Sequence, residues 1–175
     1  MAVTQRDYSE EIVKASKSVL IELTRLLGEY RDEIVLVGGW VPGLQYADHI
    51  GSKDVDLAID HRELQEAGYQ KIEETLLKAE YRRDEDNPSR YWRKVGNIDV
   101  AVDLLAGQYA GTGKSHRHQK ILDVMARKAR GCDLAFESVQ QIDATGELPG
   151  GGIETVKVRI AGIVPSIVML SLIHI

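Results

Sequence analysis

The 175-residue chain has little cysteine, no long unbroken apolar segment and no excess of positive charge. Its single cysteine, Cys132, excludes an internal disulfide bond and is expected to be a small buried residue. A net charge of -5 argues against a protein that coats nucleic acid without specificity. The polar N-terminus lacks the apolar stretch of a signal peptide, which favours a cytoplasmic location. The apolar run near the C-terminus is too short to span a bilayer, so we expect no membrane segment.

The most informative pattern is a glycine pair, Gly38-Gly39, followed by two carboxylates, Asp54 and Asp56, on a predicted strand. Residues at i and i+2 of a strand point to the same face, and like charges held side by side raise each other's pKa. Such a pair usually persists because a cation lies between the carboxylates. Mg²⁺ takes carboxylate and phosphate oxygens, so the pattern predicts a nucleoside-triphosphate site. The alternative is that both aspartates are exposed strand residues beside an ordinary turn.

Two residues just before the carboxylates add to this prediction. Ser52 could donate its hydroxyl to the same phosphates, and Lys53 could supply a positive charge nearby. Backbone N–H groups at the glycine turn form an anion site that needs no side chain. We therefore expect the phosphates to lie between the turn and the carboxylates.

A third carboxylate is predicted on a separate strand that alternates from Ile98 to Leu105. Asp99 and Asp103 share the polar face of that strand. Phosphoryl or nucleotidyl transfer by two metal ions needs about three carboxylates, and Asp103 is our choice for the third. Asp99 lies roughly 13 Å further along an extended strand and is expected at the rim.

The motifs that carry these residues resemble a known superfamily. Segments 36–40, 52–57 and 102–107 together are similar to the nucleotidyltransferases of polymerase-β-like fold. Within that superfamily they look like the AbiEii/AbiGii-type toxins of type IV toxin–antitoxin systems, which act in abortive infection.

The resemblance implies a site, a reaction and partners. It assigns metal binding by two Mg²⁺ ions to Asp54, Asp56 and Asp103, and triphosphate binding to Gly38 and Gly39. It implies transfer of NMP from an NTP to a hydroxyl, with tRNA as one candidate acceptor, and a cognate antitoxin as partner. The alternatives are a non-catalytic nucleotide-binding module and an inactive fragment of the same fold.

The order of the predicted elements favours the α+β class, with a small mixed sheet flanked by helices. We expect a nucleotidyltransferase domain over 1–162, with an N-terminal helix over 9–27 and the motif core over 30–107. The uncharged segment 163–175 is expected to begin a truncated C-terminal helical region that packs incompletely and leaves an exposed apolar patch.

Further elements are predicted from periodicity and turn residues. The first helix has Asp7 and Glu10 as a possible capping box and Gly28 as its stop. The others are a helix capped by Asp60 that continues past Ile72 to Leu77, a hairpin turning at Gly96-Asn97, a helix over 119–128, a loop over 149–152 and a strand over 155–160.

Three more features have two interpretations each. The basic stretch Lys114–Arg130 could guide RNA, or it could be a solvated helix face. Tyr91 and Trp92 could stack on a base or pack the sheet. The segment 111–115 resembles the end of a P-loop, but its glycine spacing fails, so we expect an exposed turn.

Overall fold

A computed structural model describes residues 9–60, 71–107 and 118–173, and these form a nine-stranded mixed sheet flanked by helices. The α+β prediction is confirmed. The strands are β1 Ile34–Val37, β2 Val55–Ile59, β3 Arg82–Arg83, β4 Arg90–Val95, β5 Ile98–Ala106, β6 His118–Ile121, β7 Val124–Lys128, β8 Val139–Glu147 and β9 Ile153–Ala161. The described α-helices are α1 Glu10–Leu26, α2 Trp40–Gln45, α3 Ile72–Lys78 and α4 Ile163–Ile173, with 3-10 turns at Gly28–Tyr30 and Cys132–Phe136.

The strand order places β2 and β5 side by side in the middle of the sheet. The main path runs β3-β4-β5-β2-β1-β9-β8, and the β6–β7 hairpin joins the sheet where β7 pairs with the end of β5. β1 and β2 are antiparallel, whereas β2 and β5 are parallel. In that parallel pair Asp56 is the register partner of Asp103. Two carboxylates that lie 47 positions apart in sequence numbering are thus neighbours across one strand pair.

The larger core lies on the sheet face covered by α1. Leu20, Ile21 and Leu23 of α1 are buried there against side chains of the sheet such as Leu57 and Leu104. Full burial of each such side chain contributes roughly 1.5–3 kcal/mol, so α1 is held mainly by packing. This face is closed by hydrophobic contact and carries none of the predicted site residues.

The smaller core lies on the opposite face and shares it with the carboxylates. Val37, Ala58 and Leu105 belong to this cluster. Because side chains alternate along a strand, Asp56 points to the same face as Ala58, and Asp103 to the same face as Leu105. The polar site is therefore built at the end of an apolar patch on one side of the sheet.

Several predicted elements are confirmed. The hairpin of β4 and β5 turns at Gly96-Asn97, with Gly96 at φ +58°, and the last strand is β9. The first helix is α1, but its recorded cap is Ser9, whose Oγ accepts a hydrogen bond from the N–H of Ile12 at 3.3 Å. Asp7 lies outside the described residues.

The helix predicted over 119–128 is wrong, because this segment forms β6 and β7. Val124 and Ala126 are buried while Arg127 is exposed, which is the alternation of a strand. Leu122, at φ +54°, makes the tight turn between the two strands. The basic stretch Lys114–Arg130 therefore forms strands, and no solvated helix face, in the part that the structure describes.

The helix predicted to run from Asp60 to Leu77 begins, in its described part, only at Ile72. Lys71 precedes it with a non-helical backbone. Asp123 Oδ2, from the β6–β7 turn, accepts hydrogen bonds from the N–H groups of Glu73 at 2.9 Å and Glu74 at 3.4 Å. The predicted segment 61–70 lies outside the described residues.

The C-terminal helix α4 packs on the site face of the sheet. Ser166 and Met169 are buried, and Met169 belongs to the smaller core. Ile163, Val164 and Ile167 are exposed, so the expected apolar patch is present. Among the described helices, none is both long enough and apolar enough to cross a membrane.

Candidate functional site

The three predicted carboxylates line one cavity of about 270 Å³. It lies beside the last residue of β1, the start of β2 and the interior of β5, and residues of α4 line it as well. The lining residues are Val37, Gly38, Asp54, Asp56, Arg90, Asp103, Leu105, Arg127, Ser166 and Met169. The structure therefore brings Asp103 to the same cavity as Asp54 and Asp56.

The glycine pair makes room for the side chains of the acidic cluster. Gly38 has φ +73°, and a Cβ there would overlap Oδ2 of Asp56. Gly39 has an ordinary φ of -66°, but its Cβ would lie 2.8 Å from Oγ of Ser52. Gly38 is needed both for its backbone conformation and for space, whereas Gly39 is needed for space alone.

Ser52 is buried and orients Asp54. Its Oγ donates a hydrogen bond to Oδ1 of Asp54 at 2.7 Å. The sequence predicts that this hydroxyl donates to phosphates, but in the structure it donates to the carboxylate of Asp54. Lys53 is exposed and lies outside the residues that line the cavity. Asp99 is exposed, lies outside the residues that line the cavity, and is paired with Arg82 at 3.0 Å.

Asp103 is held by an arginine that the sequence analysis missed. Nε and one terminal nitrogen of Arg90 donate to Oδ1 and Oδ2 of Asp103 at 2.8 and 2.7 Å. The guanidinium also lies over the ring of Trp92, 5.6 Å from its centroid. Asp103 raises the pKa of Arg90, chiefly through these hydrogen bonds, so Arg90 is a permanent cation at the site.

Asp56 is the electrostatically strained member of the cluster. Burial, followed by the charges of Asp54 and Asp103, raises its pKa to about 7. Arg127 and Arg90 oppose that rise. Within the part of the chain that the structure describes, this carboxylate makes no hydrogen bond or ion pair. A cation placed against Asp56 would relieve the repulsion, because an opposite charge favours the ionised form.

The donor set fits a hard divalent cation at Asp54 and Asp56. Across 9–60, 71–107 and 118–173, no group of three His, Cys, Asp or Glu side chains is already arranged to hold a metal ion. Asp103 accepts two hydrogen bonds from Arg90, although a carboxylate has about four lone-pair sites, so some acceptor capacity remains. Asp54 and Asp56 fit Mg²⁺ better than Asp103 does, since neither has a cationic partner in contact.

Arg90 could have been found from the sequence. The two-residue turn at Gly96-Asn97 fixes the hairpin register, and counting back from it pairs Arg90 with Asp103. Arg127 could not have been found this way, because the pattern 119–128 was interpreted as a helix. Ser166 and Met169 carry no motif, and only the packing of α4 brings them to the cavity.

The remaining predictions fall partly outside the described residues. Lys114, His116 and Arg117 of the basic stretch are not described, whereas Arg127 lines the cavity. Tyr91 is buried and donates its hydroxyl to Glu73 at 3.0 Å, which confirms a packing role. Cys132 is buried, as expected. The P-loop-like segment 111–115 is also outside the described ranges.

Comparison of the chain with protein-family models, with curated proteins and with solved structures gives no match.

Proposed function

We propose that this protein is a metal-dependent nucleotidyltransferase that transfers NMP from an NTP to a hydroxyl group and releases pyrophosphate. The observation that carries the proposal is the meeting of Asp54, Asp56 and Asp103 in one cavity beside Gly38. The sequence resemblance to the AbiEii/AbiGii-type toxins supports the same reaction. It also supports an RNA acceptor, for which tRNA is the first candidate, a cytoplasmic setting and a cognate antitoxin partner.

The chain's own residues have separate roles in this proposal. Asp54 and Asp56 hold the Mg²⁺, and Ser52 fixes the rotamer of Asp54 through its hydrogen bond. Mg²⁺, when bound, neutralises the charge of the phosphates and of the leaving pyrophosphate. Asp103 lies next to Asp56 across the strand pair, where it can accept the proton of the attacking hydroxyl or hold a second ion.

Two further groups can hold the triphosphate. Gly38 lines the cavity, and the resemblance assigns triphosphate binding to the backbone of Gly38 and Gly39. Arg127 lines the cavity and offers a guanidinium that can bind phosphate oxygens in a bidentate manner. The acceptor oxygen attacks the α-phosphorus, and the bond from that phosphorus to the pyrophosphate oxygen breaks.

The proposal is tested by incubating the protein with total RNA, Mg²⁺ and each of the four NTPs in turn. An NTP labelled at the α-phosphate should label RNA, whereas the same NTP labelled at the γ-phosphate should not. The second arm separates nucleotidyl transfer from phosphoryl transfer.

Asp56→Asn and Asp99→Asn are the matched variants for this assay. Asp56→Asn removes a charge from the cluster with little change of volume, so transfer should be lost while the far-ultraviolet circular dichroism spectrum is kept. Asp99 lies on the same strand as Asp103 but is exposed and outside the residues that line the cavity, so Asp99→Asn should keep transfer. Equal activity of the two variants would contradict the proposal.

A second candidate is a nucleotide-binding module without catalysis. It is favoured by the ion pair in which Arg90 occupies both oxygens of Asp103. On this alternative, Mg²⁺ and NTP bind with affinities that depend on Asp54 and Asp56, but no acceptor is ever labelled. Equilibrium binding of NTP together with the labelling assay separates the two candidates.

A further inference from the structure

Arg90 is fixed firmly on Asp103 and is unlike a mobile surface ion pair. The two residues are register partners across the β4–β5 hairpin. The side chain of Asp103 is only 6% exposed and that of Arg90 is 33% exposed. Two hydrogen bonds and the ring of Trp92 define the position of the guanidinium. Asp103 therefore already has a cation in direct contact.

The other two carboxylates have different partners. Asp54 accepts a hydrogen bond from the neutral hydroxyl of Ser52. Asp56 has no recorded hydrogen-bond or ion-pair partner among the described side chains and backbone groups. A divalent cation that approached Asp103 would meet the positive charge of Arg90, whereas one at Asp54 and Asp56 would meet no charge of its own sign in contact.

We infer that Arg90 is a positioning residue that keeps a second divalent cation off Asp103, so that the protein without nucleotide binds one such ion, at Asp54 and Asp56. The inference rests on the proposed function, because it concerns the same metal site. The two ions would then bind in a fixed order, the first at Asp54 and Asp56 and the second at Asp103. The second ion is admitted only when the guanidinium leaves Asp103.

The nucleotide is the ligand whose chemistry can move Arg90. A guanidinium binds phosphate oxygens with the same two-pronged geometry that it uses with a carboxylate. Arg90 lines the cavity together with Arg127, so a triphosphate bound there can draw it from Asp103. Arg90 thereby opposes metal binding in the free protein and supports nucleotide binding.

Mn²⁺ titration of the nucleotide-free protein, followed by the electron paramagnetic resonance of the free ion, tests this. The unchanged chain should bind one Mn²⁺. Arg90→Met should bind a second Mn²⁺, at least about tenfold more tightly than any second ion on the unchanged chain, because a like charge has been removed. The same variant should bind a non-hydrolysable NTP more weakly. If Arg90 had a purely structural role, Arg90→Met would bind both Mn²⁺ and the NTP more weakly.

Arg82→Met and Asp103→Asn are the matched variants. Arg82 pairs with Asp99 on the same strand β5, away from the cavity, so its loss should leave Mn²⁺ binding unchanged. Asp103→Asn should still bind one Mn²⁺, since Asp103 is not a ligand of that ion, but more weakly than the unchanged chain because a nearby negative charge is removed. Asp103→Asn also tests the inference without relying on a folded Arg90 variant, and thermal melting checks that each protein is folded.

The outcomes separate the inference from the proposed function. Two ions on the unchanged chain, one ion on folded Arg90→Met, or loss of the first ion in Asp103→Asn would each overturn the inference and leave a metal-dependent transferase standing. No Mn²⁺ on any variant at millimolar concentration would overturn both. One ion on the unchanged chain, two on Arg90→Met and one on Asp103→Asn would support it.

Discussion

Substitution of Gly38 by alanine tests the link between the glycine turn and the acidic cluster. At φ +73° a Cβ costs roughly 1–2 kcal/mol for the left-handed backbone alone. The new Cβ would also overlap Oδ2 of Asp56, and such overpacking typically costs a further 1–3 kcal/mol. We expect Gly38→Ala to lower the free energy of unfolding by about 2–5 kcal/mol. Because Asp56 must move, Mn²⁺ binding should weaken as well, by at least about tenfold.

Two other glycines separate the causes. Gly96 has φ +58° and nothing within 4 Å of an added Cβ, so Gly96→Ala should cost only the backbone term, about 1–2 kcal/mol. Gly39 has an ordinary φ, and its added Cβ would contact Ser52. Gly39→Ala should therefore lower the free energy of unfolding by the overpacking contribution alone, about 1–3 kcal/mol. Urea unfolding followed by circular dichroism gives the three stabilities, and Mn²⁺ titration gives the three affinities.

The reasoning would be refuted by either of two results. One is that Gly38→Ala is no more destabilising than Gly96→Ala. The other is that Gly38→Ala binds Mn²⁺ as tightly as the unchanged chain, since this would mean that Asp56 does not need the space that the glycine leaves.

Three further predictions concern charge and capping. The pKa of Asp56 is raised from 3.8 to about 7, so the folded state gains stability from its protonated form below pH 3.8 and loses that contribution progressively as pH rises to about 7. The stability advantage of Asp56→Asn over the unchanged chain should therefore grow by roughly 2–3 kcal/mol between pH 5 and pH 8 in EDTA; an equal difference at both pH values would contradict this. Glu22→Ala should lower the free energy of unfolding in urea by about 3–5 kcal/mol, because buried Glu22 accepts hydrogen bonds from Arg93 and Tyr81. The control Glu154→Ala breaks an exposed ion pair with Arg25 and should lower it by less than about 1 kcal/mol. Asp123→Ala should cost about 1 kcal/mol in thermal unfolding by uncapping α3, and an unchanged melting temperature would exclude the cap.

The carboxylates and the β4–β5 hairpin could be predicted because their signals are local. Alternation from Ile98 to Leu105 assigns the face of Asp103, and a two-residue turn fixes the register. Asp56 lies on β2 and Asp54 just before it, and both line the same cavity, as their i, i+2 spacing predicts.

The β6–β7 hairpin and the cover of the site could not be predicted in the same way. The segment 119–128 is basic and short. Its turn places Leu122 at a positive φ, which the turn preferences of leucine do not predict. Strand β8, at Val139–Glu147, has mostly exposed or half-buried side chains and so gives little hydrophobic alternation. The incomplete packing of the uncharged helix α4 follows from its sequence, but the burial of Met169 in the smaller core with Val37 and Leu105 does not.

The most direct measurement is the crystal structure of the protein with Mn²⁺ and a non-hydrolysable NTP, with the ions located by anomalous scattering. The account predicts an Mn²⁺ bound by Asp54 and Asp56, with the triphosphate against Gly38-Gly39. The absence of an anomalous peak at Asp54 and Asp56, or a nucleotide bound away from this cavity, would contradict it.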